Sequence, residues 1–201
     1  MKNWLKKTMI LVIGIGLNIA GRYIAHHFVL PVWLDMIGTC IASYYGGLWI
    51  GILAGLSNNL IFAIYDPTVL IYAATSVTAA ILIHVFMKKG FINNISQAFI
   101  ASFWLGVLCT VVSTPLNVLV NGGYSGNVWG DTLVDMLRWH DVPLVISSLA
   151  GEVILEIIDK QICVILAYLL IRIWDTCRRK KKGKSGIPVF HSMMNMMCLK
   201  K

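Results

Sequence analysis

Charge is what this sequence has least of. Charged residues make up 13% of the 201 and hydrophobic residues 58%, with a mean hydropathy of +0.76, values that describe a polytopic membrane protein rather than a soluble domain. Signatures of catalysis are missing too. No Gly-x-x-x-x-Gly-Lys-Ser/Thr occurs and no soluble segment could house one, which excludes an intrinsic ATPase. Neither Gly-x-Ser-x-Gly nor His-Glu-x-x-His is present to support hydrolysis, and there is no kinase or output domain. Cysteines are few and scattered: Cys40, Cys109, Cys163, Cys177 and Cys198 include no Cys-x-x-Cys, so metal and dithiol chemistry are unsupported and the thiols read as core filler. No cofactor is expected. The repeated halves usual in a secondary transporter are not evident.

The cations that are present are segregated. A net charge of +8, from 17 basic and 9 acidic residues, would suggest a nucleic-acid partner only on a soluble face. Instead Lys2, Lys6 and Lys7 precede the first apolar run, Lys88 and Lys89 sit in a short connection, and Arg178 to Lys182 follow the last run. That distribution obeys the positive-inside rule with both termini cytoplasmic. The basic, then apolar, start could pass for a signal peptide, but the run is long, lacks a small-x-small site and leads straight into another span, so cleavage is not expected. Ser185 to Lys201 contains four methionines and reads as a weakly ordered cytoplasmic tail.

From Val32 to Tyr65 the chain carries a single charge, Asp35, in 34 residues. A continuous helix of that length would measure about 51 Å against a hydrocarbon core of about 30 Å, so the segment must fold back. Gly46-Gly47 is the natural place. Gly38, Ala42 and Gly46 on the first arm, and Gly47, Gly51 and Gly55 on the second, give each a smooth stripe for close helix contact. Trp33 and Asp35 then lie near the same end of the hairpin as Asn58 and Asn59.

The other apolar runs complete an all-α membrane protein of six transmembrane helices in one domain, residues 1–174, with spans at about 8–28, 32–46, 47–65, 68–87, 95–120 and 142–174, followed by a basic tail, 175–201. The first span holds Asn18 and Arg22 and ends at His26-His27, which read as interfacial anchors ahead of proton sensors or metal ligands. Asp66-Pro67 marks an outer turn, and Pro115 and Asn117 fall near the outer end of the fifth span. Asn121 to Asp141, rich in glycine, aspartate and tryptophan, has the composition of a lid. In the last span Glu152, Glu156 and Asp159 share one helical face, with Lys160 four residues after Glu156. Ionisable groups facing lipid cost roughly 2.5–3.5 kcal/mol each, so these face the bundle or an aqueous cavity. They either pair internally, Glu156 with Lys160 and Arg22 with another carboxylate, or hold a ligand or ion.

Three segments carry a family resemblance: LNIAGRYIA in the first span, LPVWLDMIGTCIASYYGGLWIGILAGLSNN in the hairpin, and STPLNVLVNGGYSGNVWGD at the outer end of the fifth span. Over about residues 10 to 174 the chain resembles the substrate-binding S-component of an energy-coupling factor (ECF) transporter. The resemblance implies a compact six-helix bundle in the bacterial cytoplasmic membrane that captures a vitamin, nucleobase or similar small solute from outside. Partners implied are the lipid bilayer, a transmembrane coupling protein and two cytoplasmic ATPases, which would supply the hydrolysis. It places substrate at Trp33, Asp35, Asn58, Asn59, Tyr72, Asn117, Trp129, Glu152, Glu156 and Lys160, with aromatic faces stacking on a ring and amides and carboxylates reading its donors and acceptors. At most one of Asn58 and Asn59 would touch ligand, since adjacent residues point different ways. Family members meet the coupling protein through an Ala-xxx-Ala surface on the first helix, for which Gly16/Ala20 and Gly21/Ala25 are the nearest equivalents here. A proton-coupled secondary transporter using the late acids, or a membrane sensor serving a separate kinase, are the competing readings.

Overall fold

The computed structural model describes residues 3–181, which are helical without strands. The methionine-rich tail, with Cys198, and the last lysine of the basic stop lie outside the described residues. Seven α-helices follow one another: α1 (Asn3–His27), α2 (Ile37–Gly46), α3 (Leu48–Phe62), α4 (Ala73–Lys88), α5 (Ile95–Val120), α6 (Val128–Trp139) and α7 (Leu144–Lys181), with a 3₁₀ turn, Pro67–Tyr72, leading into α4.

The break between α2 and α3 is local in origin. Gly47 adopts φ 87°, a left-handed backbone that a side chain disfavours, and the chain reverses there as the glycine pair predicts. The start of α2 is not local. Helix is expected from residue 32, but Val32 to Met36 is irregular, with Leu34 at φ 53°. Its amides are claimed from elsewhere: Trp33 and Leu34 donate to Asp159 Oδ1 of α7 at 2.8 and 2.7 Å, and Gly38 and Thr39 to Asn18 Oδ1 of α1 at 2.8 and 3.2 Å. A helix start whose donors already have partners needs no further turn. Trp33 and Asp35 therefore sit on a loop, not on a helical arm. The lid-like segment also differs from expectation, because its second half is the twelve-residue helix α6, started by Asn127, whose side chain accepts from Trp129 N.

Three helical segments among the described residues, Asn3–His27, Pro67–Lys88 and Ile95–Val120, are long and apolar enough to cross a membrane. Helices α2 and α3, of 10 and 15 residues, reach only about 15 and 22 Å. With 38 residues α7 has length to spare, yet Glu152, Glu156, Asp159, Lys160, Arg172 and Asp175 interrupt its apolar character.

Apart from α6, the helices alternate in direction between two ends. Lys6 and Lys7 start α1, Lys88 ends α4, and Arg172 Nη2 donates to Asn93 O in the α4–α5 connection at 2.6 Å, which gathers these four basic residues at one end, while Arg22 and Lys160 lie toward the other. Small residues set the spacing. A Cβ on Gly38 would overlap the Gly14 carbonyl, and Ala42 and Ala54 crowd the same point, so α1, α2 and α3 meet almost backbone to backbone. Helix α7 lies along α5 and reaches α2 and α6. Cys40, Cys109 and Cys163 are fully buried among Ala79, Ile83, Leu105, Val164 and Ala167, acting as small apolar filler, whereas Cys177 is exposed.

Candidate functional site

At the end remote from Lys6, Lys7 and Lys88, the last turns of α1 and α3, the starts of α2 and α4, the first half of α7, the Pro31–Met36 loop, the 3₁₀ turn and the segment between α5 and α6 enclose a cavity of about 460 Å³. That volume suits a small organic solute. Its wall combines apolar side chains such as Val32, Met36 and Val69 with polar ones that the bundle holds in place one against another.

Lys160 is fixed by two carboxylates of its own helix, with Nζ 3.0 Å from Glu156 Oε2 and 2.8 Å from Asp159 Oδ2. All three are nearly inaccessible to solvent. Asp159 has divided its oxygens: one holds the lysine, the other anchors the Trp33–Leu34 loop. The approach of Lys160 to Glu156 is an ion pair off the hydrogen-bonding direction, so Glu156 Oε2 keeps acceptor capacity. Across the cavity Arg22 lies 3.6 Å from Asp35 and over the Phe62 ring at 4.4 Å. Asn58 Nδ2 donates to the same carboxylate oxygen, Oδ2, at 3.2 Å.

A second chain of contacts runs from the 3₁₀ turn through α5 to α7. Tyr72 donates its hydroxyl to Asn117 Oδ1 at 2.6 Å, Asn117 Nδ2 donates to Glu152 Oε2 at 2.7 Å, and Asn121 Nδ2 donates to the Tyr72 oxygen at 3.0 Å. Pro115 is accommodated inside α5 just before this relay. The mouth is tied by α6. Trp129 Nε1 donates to Val29 O at 2.8 Å and Asn127 Nδ2 to Leu30 O at 3.3 Å, which fastens the start of α6 to the α1–α2 loop.

Of the residues expected at a site, Trp33, Asp35, Asn59, Tyr72, Glu152, Glu156 and Lys160 line this cavity. Three do not. Asn58 backs Asp35, Asn117 lies behind Tyr72 and Glu152 with no exposure, and Trp129 clasps the mouth from outside. Asn59 donates to Ser76 Oγ at 2.6 Å and so bridges α3 to α4 while also facing the cavity. Of the expected internal pairings, Glu156 with Lys160 and Arg22 with Asp35 both form, whereas Glu152 belongs to no ion pair among the described residues.

The two small-residue pairs on α1 part company. Gly16 and Ala20 are exposed, and nothing lies within 4 Å of a Cβ built on Gly16. Gly21 is pressed against the Leu34 carbonyl and Ala25 is 4% exposed inside the bundle, so this second pair, expected at a partner surface, is corrected to an internal contact. Sequence reasoning overlooked Ser125 and Asn127 at the mouth and Thr75 and Ser76 in the wall. A polar residue just ahead of a periodic apolar run is a helix-start signal, which marks Asn127; nothing local distinguishes Thr75. Among the described residues no group of three or more His, Cys, Asp or Glu side chains has the arrangement of a metal site.

No protein-family model, curated protein or solved structure matches this chain.

Proposed function

We propose that this chain is the solute-capturing subunit of an ECF-type importer in a bacterial cytoplasmic membrane. The observation that carries the reading is a cavity of about 460 Å³, lined by apolar and hydrogen-bonding side chains together, at the end of the bundle opposite Lys6, Lys7, Lys88, Lys89 and Arg172. By the positive-inside rule the cationic end is cytosolic, and the cavity then opens to the exterior. On this reading α1, α2, α3, α4, α5 and α7 are the six spans, the short α2 and α3 being sheltered by their neighbours, and both termini are cytoplasmic. The outer position of α6, with exposed Val128, Trp129, Met136 and Trp139, suits the membrane interface. Gly16 and Ala20 would receive the coupling protein, and ATP hydrolysis belongs to two partner ATPases.

One feature favours a different class. Glu152, Glu156, Asp159 and Lys160 are buried together on α7, the kind of group that carries a proton through a secondary transporter. Purified protein in proteoliposomes decides between them. The importer subunit retains or binds solute without accumulating it until coupling protein, ATPases and ATP are supplied. Accumulation by the chain alone, driven by a proton gradient, would replace this reading with the transporter.

A further inference from the structure

Charges around the cavity do not cancel. Arg22 answers Asp35, and Lys160 is shared between Glu156 and Asp159, so two cations face three carboxylates before Glu152 is counted. Glu152 lines the cavity, is 3% exposed and belongs to none of the ion pairs of the described residues; its Oε2 accepts from the neutral amide of Asn117. A buried carboxylate without a counter-charge is strongly unfavourable, and an incoming anion would add to the excess. An incoming cation removes it. Thr75 adds an independent sign of an absent polar partner: it lines the same cavity, is 7% exposed and has a hydroxyl with no hydrogen-bond partner. Trp33 and Tyr72 contribute rings to the lining, and the Tyr72 ring is held by its hydroxyl contact to Asn117; aromatic faces attract cations as well as flat rings.

We propose, resting on the solute-capture reading above, that the cavity takes a small solute bearing a cationic nitrogen, a protonated amine or amidinium, seated against Glu152. Glu156, one turn further along α7 and still able to accept, is its second carboxylate. The cation completes the charge balance that Arg22 and Lys160 leave short. Selectivity follows from the same excess, because an isosteric alcohol gains no charge pairing and a carboxylic acid meets repulsion.

The test uses the full chain in lipid nanodiscs at pH 7. Solute retained through mild purification is identified by mass spectrometry, and thermal shifts are recorded with matched pairs of one skeleton, pyridoxamine against pyridoxine and benzylamine against benzyl alcohol and benzoate. A retained cation, or stabilisation by the amine members alone, is expected. Glu152→Gln should weaken amine binding at least about tenfold, the loss of a charged hydrogen bond. Glu156→Gln serves as the second variant should the first fail to fold. An amine response untouched in both variants would overturn the seat. A retained anion or neutral solute, or stabilisation by benzoate or the alcohols, would overturn the charge class and leave solute capture standing. Wild-type protein that retains nothing and responds to no probe would count against capture itself.

Discussion

At Asn18 one buried side chain ties α1 to two other helices: Oδ1 accepts from Gly38 N and Thr39 N of α2, and Nδ2 donates to Thr39 Oγ1 at 2.9 Å and to Ala54 O of α3 at 3.4 Å. Replacing it by leucine keeps the volume and strands two amides at the start of α2. Asn18→Leu should lose about 2–4 kcal/mol of stability, measured as thermal exposure of the buried thiols Cys40, Cys109 and Cys163 to a maleimide in detergent. Asp66 offers a smaller effect with a definite sign. The hydroxyl and amide of Thr68 hold its carboxyl below the usual range, so its contribution is present at neutral pH and lost as pH falls through that lowered value. The difference in Tm between wild type and Asp66→Asn should therefore shrink steadily on acidification; a constant difference would mean that the carboxylate charge is irrelevant to the turn.

Glycine on α1 plays two opposite parts, and the pair Gly14 and Gly16 separates them. Gly14 receives the backbone of α2, so Gly38→Ala must push α1 and α2 apart and should cost about 1–3 kcal/mol. Gly16 faces open space, and Gly16→Leu should leave thermal stability and solute binding within error while reducing ATP-dependent uptake with the coupling module. Normal uptake by a folded Gly16→Leu protein would move the coupling surface elsewhere. The i, i+4 spacing of small residues was readable in the sequence for both pairs on α1, yet spacing says only that a helix has a smooth stripe. Which stripe turns inward depended on where the Pro31–Met36 loop landed. That loop was placed by Asp159, 125 residues beyond Leu34, through hydrogen bonds that no local pattern contains.

For the molecule as a whole, orientation is the decisive quantity. In a variant with its native cysteines replaced, single cysteines at exposed Tyr65 and Trp139 should react with a membrane-impermeant maleimide added to intact cells, and one at Lys89 only after permeabilisation. The reverse pattern would put the cavity on the cytosolic side and remove the basis for capture from outside. Six spans are also at stake, because α2, α3 and α7 fall outside simple length-and-hydropathy limits: the first two are short, and the third carries charges that neighbouring helices bury.

Helical class, the reversal at Gly47, the extent of α5 and the segregation of cations were determined by the sequence alone. Each depends on composition, on glycine's backbone freedom or on a run of apolar residues, which act within a few residues of one another. The cavity and the balance of charge in its wall were decided only by tertiary structure. Glu152, Glu156 and Asp159 look alike as an acidic face, but their environments differ: Asp159 clamps a loop and a lysine, Glu156 shares that lysine, and Glu152 meets the neutral Asn117 amide, the Ser113 hydroxyl and the cavity. Pairing of buried charges is settled by what the rest of the chain brings within a few ångströms, and that is a property of the packed bundle rather than of spacing along one helix.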